Sequence, residues 1–473
     1  MRGEVLAAIL GSFLKVFTAV IALPIPVGLY YGESFLALTG FLYASIASLI
    51  LGVSLGRIGD YEEPSVSEAM VSTVMGWSLA IVLGAIPFLV EVGLTNAVFE
   101  STAGLTTTGI SMFLEPQALN PSLLFWRALM QWVGGLGVLT FFIAVIRESG
   151  GISRKLFSAE THKTDPGSIR PSLKKSIIEL WKVYIFITGV MVASYSMLGM
   201  NFFNAVAHAF SAISTGGFST TGASIAAFGT PIQAVTVVFM LLGGVNFVLL
   251  YKALNLDSSI FDNSEFRLYI KIFVAFSALI FLDLSRSGLA AGNVLDSLFQ
   301  SASVLSSTGY GTMSIMSLSV FVQFMLIGLM FVGGSLGSTS GGIKTFRLKA
   351  LIELTRTRLR SYSLPSTAIN EVKIDGEILD NSMLHTISVL LFTWIGVVFA
   401  ATGLLMLLED VSFMGALSGT VSAVGNMGPV YMEGAEMVNL SIPAKMVWVV
   451  VMIAGRLEML PVLAIFNRKV LSS

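Results

Sequence analysis

The sequence contains no cysteine and little charge, and both absences narrow what the protein can be. Without cysteine among its 473 residues, the chain has no disulfide bond and no thiolate metal site. Charged residues make up 12% of the chain, and the three histidines lie in no grouping that is typical of a metal site or a catalytic pair. We therefore expect no enzymatic activity, and no cofactor bound by this chain.

Apolar residues are abundant and lie in long runs. They form 55% of the sequence, and the mean hydropathy is +0.84. Such runs are typical of membrane-spanning helices of about 20 residues, whereas barrel strands alternate over about 10 residues. The first run, at residues 5–31, is too long for the apolar part of a signal peptide. The sequence predicts an all-α protein that crosses a lipid bilayer many times.

One short polar string, Ser307-Thr308-Gly309-Tyr310-Gly311, is similar in composition to the ion filter of a potassium channel. In potassium filters, backbone carbonyl oxygens replace the water around the ion, and glycine permits the backbone angles that turn carbonyls inward. A single string of this kind is weak evidence, but similar strings recur at residues 107–110, 214–218 and 426–429. Four such loops can form the four walls of one pore.

The recurrence predicts four copies of one unit. In each unit a long outer helix precedes a pore helix of about 11 residues, which cannot cross about 30 Å of hydrocarbon and must re-enter. The string follows, and then an inner helix. We expect two leading spans and four pore repeats, giving ten full spans with both termini in the cytoplasm. The predicted divisions are residues 1–58 for the leading helices and residues 69–148, 172–254, 264–360 and 380–473 for repeats 1 to 4.

The strings supply the predicted ion filter. Gly109, Gly216, Gly309 and Gly428 are predicted to be equivalent. Each pore helix would point the negative end of its dipole at the pore, which favours a cation there. The fourth string has no hydroxyl residue, which predicts less regular coordination. The predicted K+-binding residues are Thr107, Thr108, Gly109, Ser214, Thr215, Gly216, Ser307, Thr308, Gly309, Asn426, Met427 and Gly428.

The inner helix of repeat 3 is predicted to be broken. Five glycines lie within residues 333–342, and each costs a helix about 1 kcal/mol relative to alanine. The segment is either a flexible loop at the membrane edge or a pliable gate under the filter, and we prefer the gate. It is not a phosphate loop, because Ile343 separates Gly342 from Lys344.

Arg456 places a charge inside the last apolar run, residues 446–466. A charge at that depth is costly and marks an ion pathway, where it would act as a positive barrier below the filter. The alternative is a structural charge neutralised by Glu458. The predicted gate residues are Gly333, Gly334, Gly337, Gly341, Gly342, Lys344 and Arg456.

The distribution of charge predicts the orientation. Basic residues crowd the linkers after repeats 1 and 3, and such linkers face the cytoplasm. Carboxylates lie around the strings instead, where they would form an acidic outer rim that concentrates cations, or simply a solvated loop edge. The basic positions are Arg147, Arg154, Lys155, Lys163, Arg170, Lys174, Lys175, Lys182, Lys344, Arg347, Lys349, Arg356, Arg358, Arg360 and Lys373; the acidic ones are Glu91, Glu100, Glu115, Glu409, Asp410, Glu433 and Glu436.

Taken together, these motifs resemble the Trk/Ktr/HKT superfamily of potassium transporters over nearly the whole chain, and most closely its TrkH branch. The two leading spans favour TrkH over KtrB. The residues that carry the resemblance are Leu105-Thr106-Thr107-Thr108-Gly109, Ser214-Thr215-Gly216-Gly217-Phe218-Ser219-Thr220, Ser307-Thr308-Gly309-Tyr310-Gly311, Val424-Gly425-Asn426-Met427-Gly428-Pro429, Gln131-Trp132-Val133-Gly134-Gly135, Gly341-Gly342-Ile343-Lys344 and Gly455-Arg456.

The resemblance implies a K+ pore in the cytoplasmic (inner) membrane, with filter glycines that favour K+ over Na+ and an intramembrane gating loop in repeat 3. It also implies a homodimer on a cytosolic ring of TrkA-type (RCK) subunits, which would carry any NAD, ATP or ADP. This chain has no Gly-x-Gly-x-x-Gly turn of its own in a Rossmann unit. K+ would be the substrate, and we expect no nucleic-acid partner.

We therefore expect channel-like K+ uptake, and two alternatives stay open. One is a K+/H+ or K+/Na+ symporter, which needs an intramembrane carboxylate; Glu100 and Asp283 are the candidates. The other is a membrane enzyme or sensory subunit without flux.

Overall fold

The computed structural model describes residues 1–60, 62–148, 173–286, 293–363, 365 and 371–465. Helices dominate these residues, as predicted for an all-α membrane protein. Two short strands, Val372–Ile374 and Glu377–Leu379, form an antiparallel hairpin. Four of the basic positions named above, Arg154, Lys155, Lys163 and Arg170, lie outside the described residues.

The leading segment is a helical hairpin that packs through small residues. Its helices are Gly3–Ala22, Pro24–Tyr30 and Phe35–Ile58. A Cβ atom on Gly11 would lie 2.6 Å from the backbone nitrogen of Gly56, so the backbones touch where both residues are glycine. Such close approach is how apolar helices associate within a membrane.

Four units of outer helix, pore helix and string follow. The outer helices are Val66–Ala85, Leu173–Met197, Ser264–Arg286 and Asn381–Leu408. The pore helices are Leu94–Leu105, Phe202–Ile213, Asn293–Leu305 and Phe413–Gly425. Asn201 and Ser412 cap two of the pore helices through their side chains, which fixes where these helices begin.

The inner helices differ from the prediction, because three of them are interrupted. The first, Pro121–Glu148, is continuous. The second divides into Thr230–Gly243 and Phe247–Leu254, which meet at 111°. The third divides into Val320–Val332 and Thr345–Ser361, and the fourth into Ile442–Arg456 and Leu460–Ile465.

The sequence predicts one unbroken inner helix over residues 232–251 in repeat 2 and one over residues 446–466 in repeat 4, and both predictions are wrong. In repeat 2, the Asn246 side chain accepts a hydrogen bond from Val248 N at 2.7 Å and begins a new helix. In repeat 4, Glu458 and Met459 have left-handed backbone angles, which end a helix. Six described helices, or seven if the bent pair in repeat 2 counts as one span, are long and apolar enough to cross a membrane. Ten full spans thus stay a prediction.

The inner helices of repeats 1 and 4 lie against the ends of their own pore helices, with glycine at the contact. A Cβ atom at Gly134 would lie 2.0 Å from the Leu105 carbonyl oxygen, and one at Gly455 would lie 1.9 Å from the Val424 carbonyl oxygen. Leu105 and Val424 occupy equivalent positions in repeats 1 and 4, so the same contact holds the end of the pore helix in both.

Gly134→Ala should therefore destabilise the fold by about 1–3 kcal/mol, the usual cost of overpacking. The measurement is the thermal unfolding of the purified protein in detergent. Gly396→Ala is the matched control, because a Cβ atom there has nothing within 4 Å and alanine favours a helix. An equal loss of stability in both variants would contradict the contact.

Candidate ion filter and gate

Each filter string leaves its pore helix in the same way. The N–H groups of Thr108, Gly216, Thr308 and Met427 donate, at 2.7–3.0 Å, to the carbonyl five residues earlier in the chain. The residue directly before each of these four donors has a left-handed φ of 52–58°. The residue directly after each donor is a glycine with a φ of 79–96°. These glycines are Gly109, Gly217, Gly309 and Gly428.

This geometry corrects the predicted alignment of the second string. Gly217, and not Gly216, is equivalent to Gly109, Gly309 and Gly428. Gly216 occupies the position of Thr108, and its carbonyl accepts a hydrogen bond from Gln131 Nε2 at 2.6 Å. Ser214 caps the end of its pore helix and is equivalent to Thr106. The physical reason is the hydrogen bond from Gly216 N to Ser211 O, which fixes the register.

The four strings close into a ring, because each glycine touches the next string. A Cβ atom on Gly109 would lie 2.1 Å from the carbonyl oxygen of Gly216, and one on Gly217 would lie 2.0 Å from that of Thr308. The corresponding distances are 2.3 Å from Gly309 to Met427 O and 3.1 Å from Gly428 to Thr108 O. Repeats 1, 2, 3 and 4 thus contact one another in cyclic order, and the contact from repeat 4 back to repeat 1 closes the ring.

The ring is built of backbone and hydroxyl groups rather than charged side chains. The side chains of Thr107, Thr108, Thr215, Ser307 and Thr308 are fully buried. Within the described residues there is no group of three or more histidine or acidic residues that could hold a metal ion. The oxygens that the ring offers to an ion are therefore carbonyls and hydroxyls, which suit a hard monovalent cation.

The segment at residues 333–344, which we call the gate loop, lies against the filter. The N–H of Gly341 donates to the Ser307 hydroxyl at 2.6 Å, and the Ser340 hydroxyl lies 2.9 Å from the same oxygen. The Thr339 hydroxyl donates to the Ile213 carbonyl at 2.9 Å. The gate loop thereby contacts repeats 2 and 3 directly below their strings.

Repeat 4 and the start of the gate loop complete these contacts. Gly342 N donates to Gly425 O at 3.0 Å. A Cβ atom on Gly341 would lie 1.8 Å from the same Gly425 oxygen, so only glycine fits there. At the start of the loop, Leu336 N donates to a carboxylate oxygen of Glu265 at 2.8 Å. The segment is therefore packed and hydrogen-bonded along its length, unlike a loose loop at a membrane edge.

Arg456 joins the gate loop to repeat 1. It ends its helix with 5% of its surface exposed, and donates to Thr339 O at 2.8 Å and Gly134 O at 3.2 Å. The alternative that Glu458 neutralises Arg456 is wrong, because Glu458 forms its ion pair with Arg347. The cation of Arg456 thus lies against backbone carbonyls beneath the filter.

A small cavity borders this contact. Its lining includes Gly341, Gly342, Asn426, Arg456 and Trp394. The gate loop and Arg456 therefore adjoin free space on the side of repeat 4. Lys344, another predicted gate residue, is buried and donates through its ammonium group to the carbonyl of Ser340, which holds the end of the loop in place.

Six of the seven predicted rim carboxylates lie at or near the surface, which fits both a cation-concentrating rim and a solvated loop edge. Glu91, Glu115, Asp410, Glu433 and Glu436 are exposed, and Glu409 is half-buried. Hydrogen bonds from Ser441 lower the pKa of Glu409, so its carboxylate stays charged. Glu100 is different: it is fully buried and paired with Arg127 at 2.7 Å. Glu100 is therefore wrong both as a rim residue and as a free carboxylate for symport.

Sequence reasoning assigned no structural role to three residues that hold the strings and the gate loop in place. Arg127 is a charge in an apolar helix, the same signal that identified Arg456. Gln131 donates to Gly216 O and accepts from Phe218 N at 3.0 Å, so it clamps the second string. Glu265 holds the gate loop, but at the end of a long helix it gave no signal in the sequence.

Comparisons with known proteins agree with this architecture. A family model described as "Cation transport protein", TrkH, matches residues 39–282 and 286–473. The Trk system potassium uptake protein TrkH of Salmonella typhimurium is 28% identical over 489 residues, covering 99% of each chain. TrkI of Halomonas elongata, also named a Trk system potassium uptake protein, is 31% identical over 447 residues, covering 89% of this chain and 88% of its own.

A solved structure gives the same result at the level of the fold. The crystal structure of the potassium transporter TrkH from Vibrio parahaemolyticus superimposes with a TM-score of 0.90 at 26% identity, covering 99% of this chain and 100% of that one. The likeness thus extends over both leading helices and all four repeats. This chain belongs to the TrkH family of cation transport proteins.

Proposed function

We propose that this chain is the pore-forming subunit of a Trk-type system that takes up K+ across the cytoplasmic membrane. The observation that carries the proposal is the closed ring of four strings, in which each left-handed glycine touches the next string. Relatives that match the chain over nearly its full length are named potassium uptake proteins. K+ is the transported substrate, and we propose no catalytic activity for the chain.

The ring explains how a cation is received. An ion that loses its water at the outer mouth gains carbonyl oxygens in return, and four pore helices direct the negative ends of their dipoles toward it. The exposed carboxylates around the strings raise the local concentration of cations. A membrane potential then drives each charge inward with about 2.3 kcal/mol per 100 mV.

The gate loop and Arg456 are proposed to close this pathway below the filter. Thr339 and Gly341 bond to groups at the base of the filter, and Arg456 places a positive charge beside Thr339 O. A cation leaving the filter would meet both the loop and the guanidinium group. Conduction therefore requires the loop to move away and Arg456 to lose its contact with it.

The proposed partners act from the cytoplasmic side. We propose a homodimer with cytoplasmic termini, resting on a ring of TrkA-type subunits that carries the regulatory nucleotide. One apolar cluster supports a mechanical route: it contains Leu336 of the gate loop, Phe346 of the helix that follows the loop, and Val372, Ile374 and Leu379 of the strand hairpin. A partner that shifts the hairpin would thereby shift the start of the gate loop.

The test is ion flux through the purified protein in liposomes at a set voltage, with K+ and Na+ compared. We expect K+ flux to exceed Na+ flux, and we expect a TrkA-type partner with its nucleotide to increase it. Absence of flux both alone and with the partner would contradict the proposal. Flux that depends on a gradient of H+ or Na+ at fixed voltage would favour the symporter instead.

A further inference from the structure

One position behind each filter string is equivalent in all four repeats. It lies in the pore helix nine residues before each left-handed glycine, and we call the four positions the back layer. Its members are Glu100, His208, Gln300 and Gly419. The three that have side chains are at most 1% exposed. The pore helix thus buries this position in each of the three repeats where it carries a side chain.

In repeat 1 the back layer holds a buried ion pair. Glu100 accepts from Arg127 Nε at 2.7 Å, and the two side chains are 0% and 2% exposed. The same carboxylate accepts from Met112 N at 2.7 Å and from the Ser111 hydroxyl at 3.0 Å. Met112 and Ser111 follow Gly109 at the outer end of the first string, so the pair holds that end.

Arg127 also reaches across to repeat 2. Its Nη1 donates to Ser219 O at 2.9 Å, and its guanidinium carbon lies 4.2 Å from the centre of the Phe218 ring. Its Nη2 donates to the Ser111 hydroxyl at 2.9 Å. One side chain therefore bonds to the outer ends of two neighbouring strings, using the planar fork of donors that arginine alone provides.

The other three back-layer positions form no ion pair in the described structure, and only that of repeat 2 bonds to its string. His208 lies 3.0 Å from the Ser219 hydroxyl, and Ser219 is the equivalent of Ser111. Neither amide atom of Gln300 has a hydrogen-bond partner among the described residues. At Gly419, a Cβ atom would lie 2.3 Å from the Trp448 ring, which fills the space instead.

A buried ion pair is a costly way to obtain stability alone, because desolvation offsets much of the attraction and apolar replacements are often equally stable. Its advantage is direction, since charge-assisted bonds are short and fix geometry. We propose that Glu100 and Arg127 are positioning residues, which hold the outer ends of strings 1 and 2 at the spacing that distinguishes K+ from Na+. This inference rests on the proposed function of the ring as a K+ filter.

The test measures the K+:Na+ permeability ratio in liposomes for the double variant Glu100→Gln with Arg127→Met. This variant removes both charges, so no uncompensated charge stays buried, and we expect its thermal unfolding to stay near wild type. We expect the permeability ratio to fall about tenfold, as for one lost charge-assisted hydrogen bond. A purely structural pair would change the unfolding and leave the ratio untouched.

Two further variants keep the test decisive if the double variant folds poorly. Ser111→Ala removes one hydroxyl that bonds to both Glu100 and Arg127, and should lower the ratio about threefold. Gln300→Met changes the equivalent position in repeat 3, where no bond is lost, and should keep the wild-type ratio. Wild-type selectivity in Ser111→Ala would overturn the positioning role, whether or not the double variant folds, and would leave the proposed function intact. A wild type without K+ preference would contradict the proposed function itself.

Discussion

Replacing Gly217 with alanine is expected to abolish K+-selective flux. Its φ of +79° is left-handed, a conformation that costs an alanine about 1–2 kcal/mol. The added Cβ atom would also lie 2.0 Å from the Thr308 carbonyl oxygen, so the third string would have to move. Because that carbonyl belongs to the ring, the ion loses a ligand as well as its symmetry. We expect K+ flux to fall at least about a hundredfold, the equivalent of two tenfold steps in free energy.

The adjacent glycine provides the matched control. Gly216 lacks a left-handed φ, and a Cβ atom there would meet the side chain of Gln131, the nearest atom at 2.3 Å, rather than backbone. Gly216→Ala should therefore lower K+ flux less than tenfold, the cost of weakening one buried hydrogen-bonded side chain. Flux is measured for both variants in the same liposomes. If Gly217→Ala conducted normally while Gly216→Ala did not, Gly216 would be the ring glycine, as the sequence predicts, and the assignment of Gly217 would be contradicted.

Composition and recurrence were sufficient for the helical membrane fold and for the four strings, because glycine beside hydroxyl residues between apolar helices is a strong local pattern. Composition and recurrence do not give the register of the second string, because two adjacent glycines, Gly216 and Gly217, fit the pattern equally well. The hydrogen bond from Gly216 N to Ser211 O and the left-handed φ of Gly217 distinguish the two, and both are properties of the structure.

The inner helices show a second limit. The five glycines of repeat 3 predicted a break there, but repeats 2 and 4 break with far weaker signals. In repeat 2 the signal is Gly243-Gly244 before the helix-capping Asn246, and in repeat 4 it is Pro461, the second residue of the helix that follows the break. Glycine and proline are also tolerated within continuous membrane helices, so these signals do not decide a break on their own. Ion pairs are similarly hard to predict, because nothing in the sequence assigns Glu458 to Arg347 rather than to Arg456.

Arg456→Met should increase K+ flux in the absence of any partner. Arg456 donates to Thr339 O at 2.8 Å and so favours the position of the gate loop against the filter. A hydrogen bond to a charged group contributes about 1.5–3 kcal/mol, which corresponds to about a 10- to 150-fold change in the ratio of open to closed states. In the described structure no carboxylate is paired with Arg456, so methionine also removes a buried cation without leaving a charge behind. Thermal stability should therefore not fall.

Two further substitutions separate the roles of charge and contact. Arg456→Lys keeps the positive charge but loses the pair of hydrogen bonds to Thr339 O and Gly134 O. Low flux in this variant would show that the charge repels cations, and high flux would show that the hydrogen bonds hold the gate loop closed. Lys445→Met is the control, because it removes another buried cation from the same helix, one that donates to Asn96 Oδ1 and Val438 O and not to the gate loop. It should lower stability without increasing flux. A flux through Arg456→Met no higher than that through Lys445→Met would exclude Arg456 from the gate.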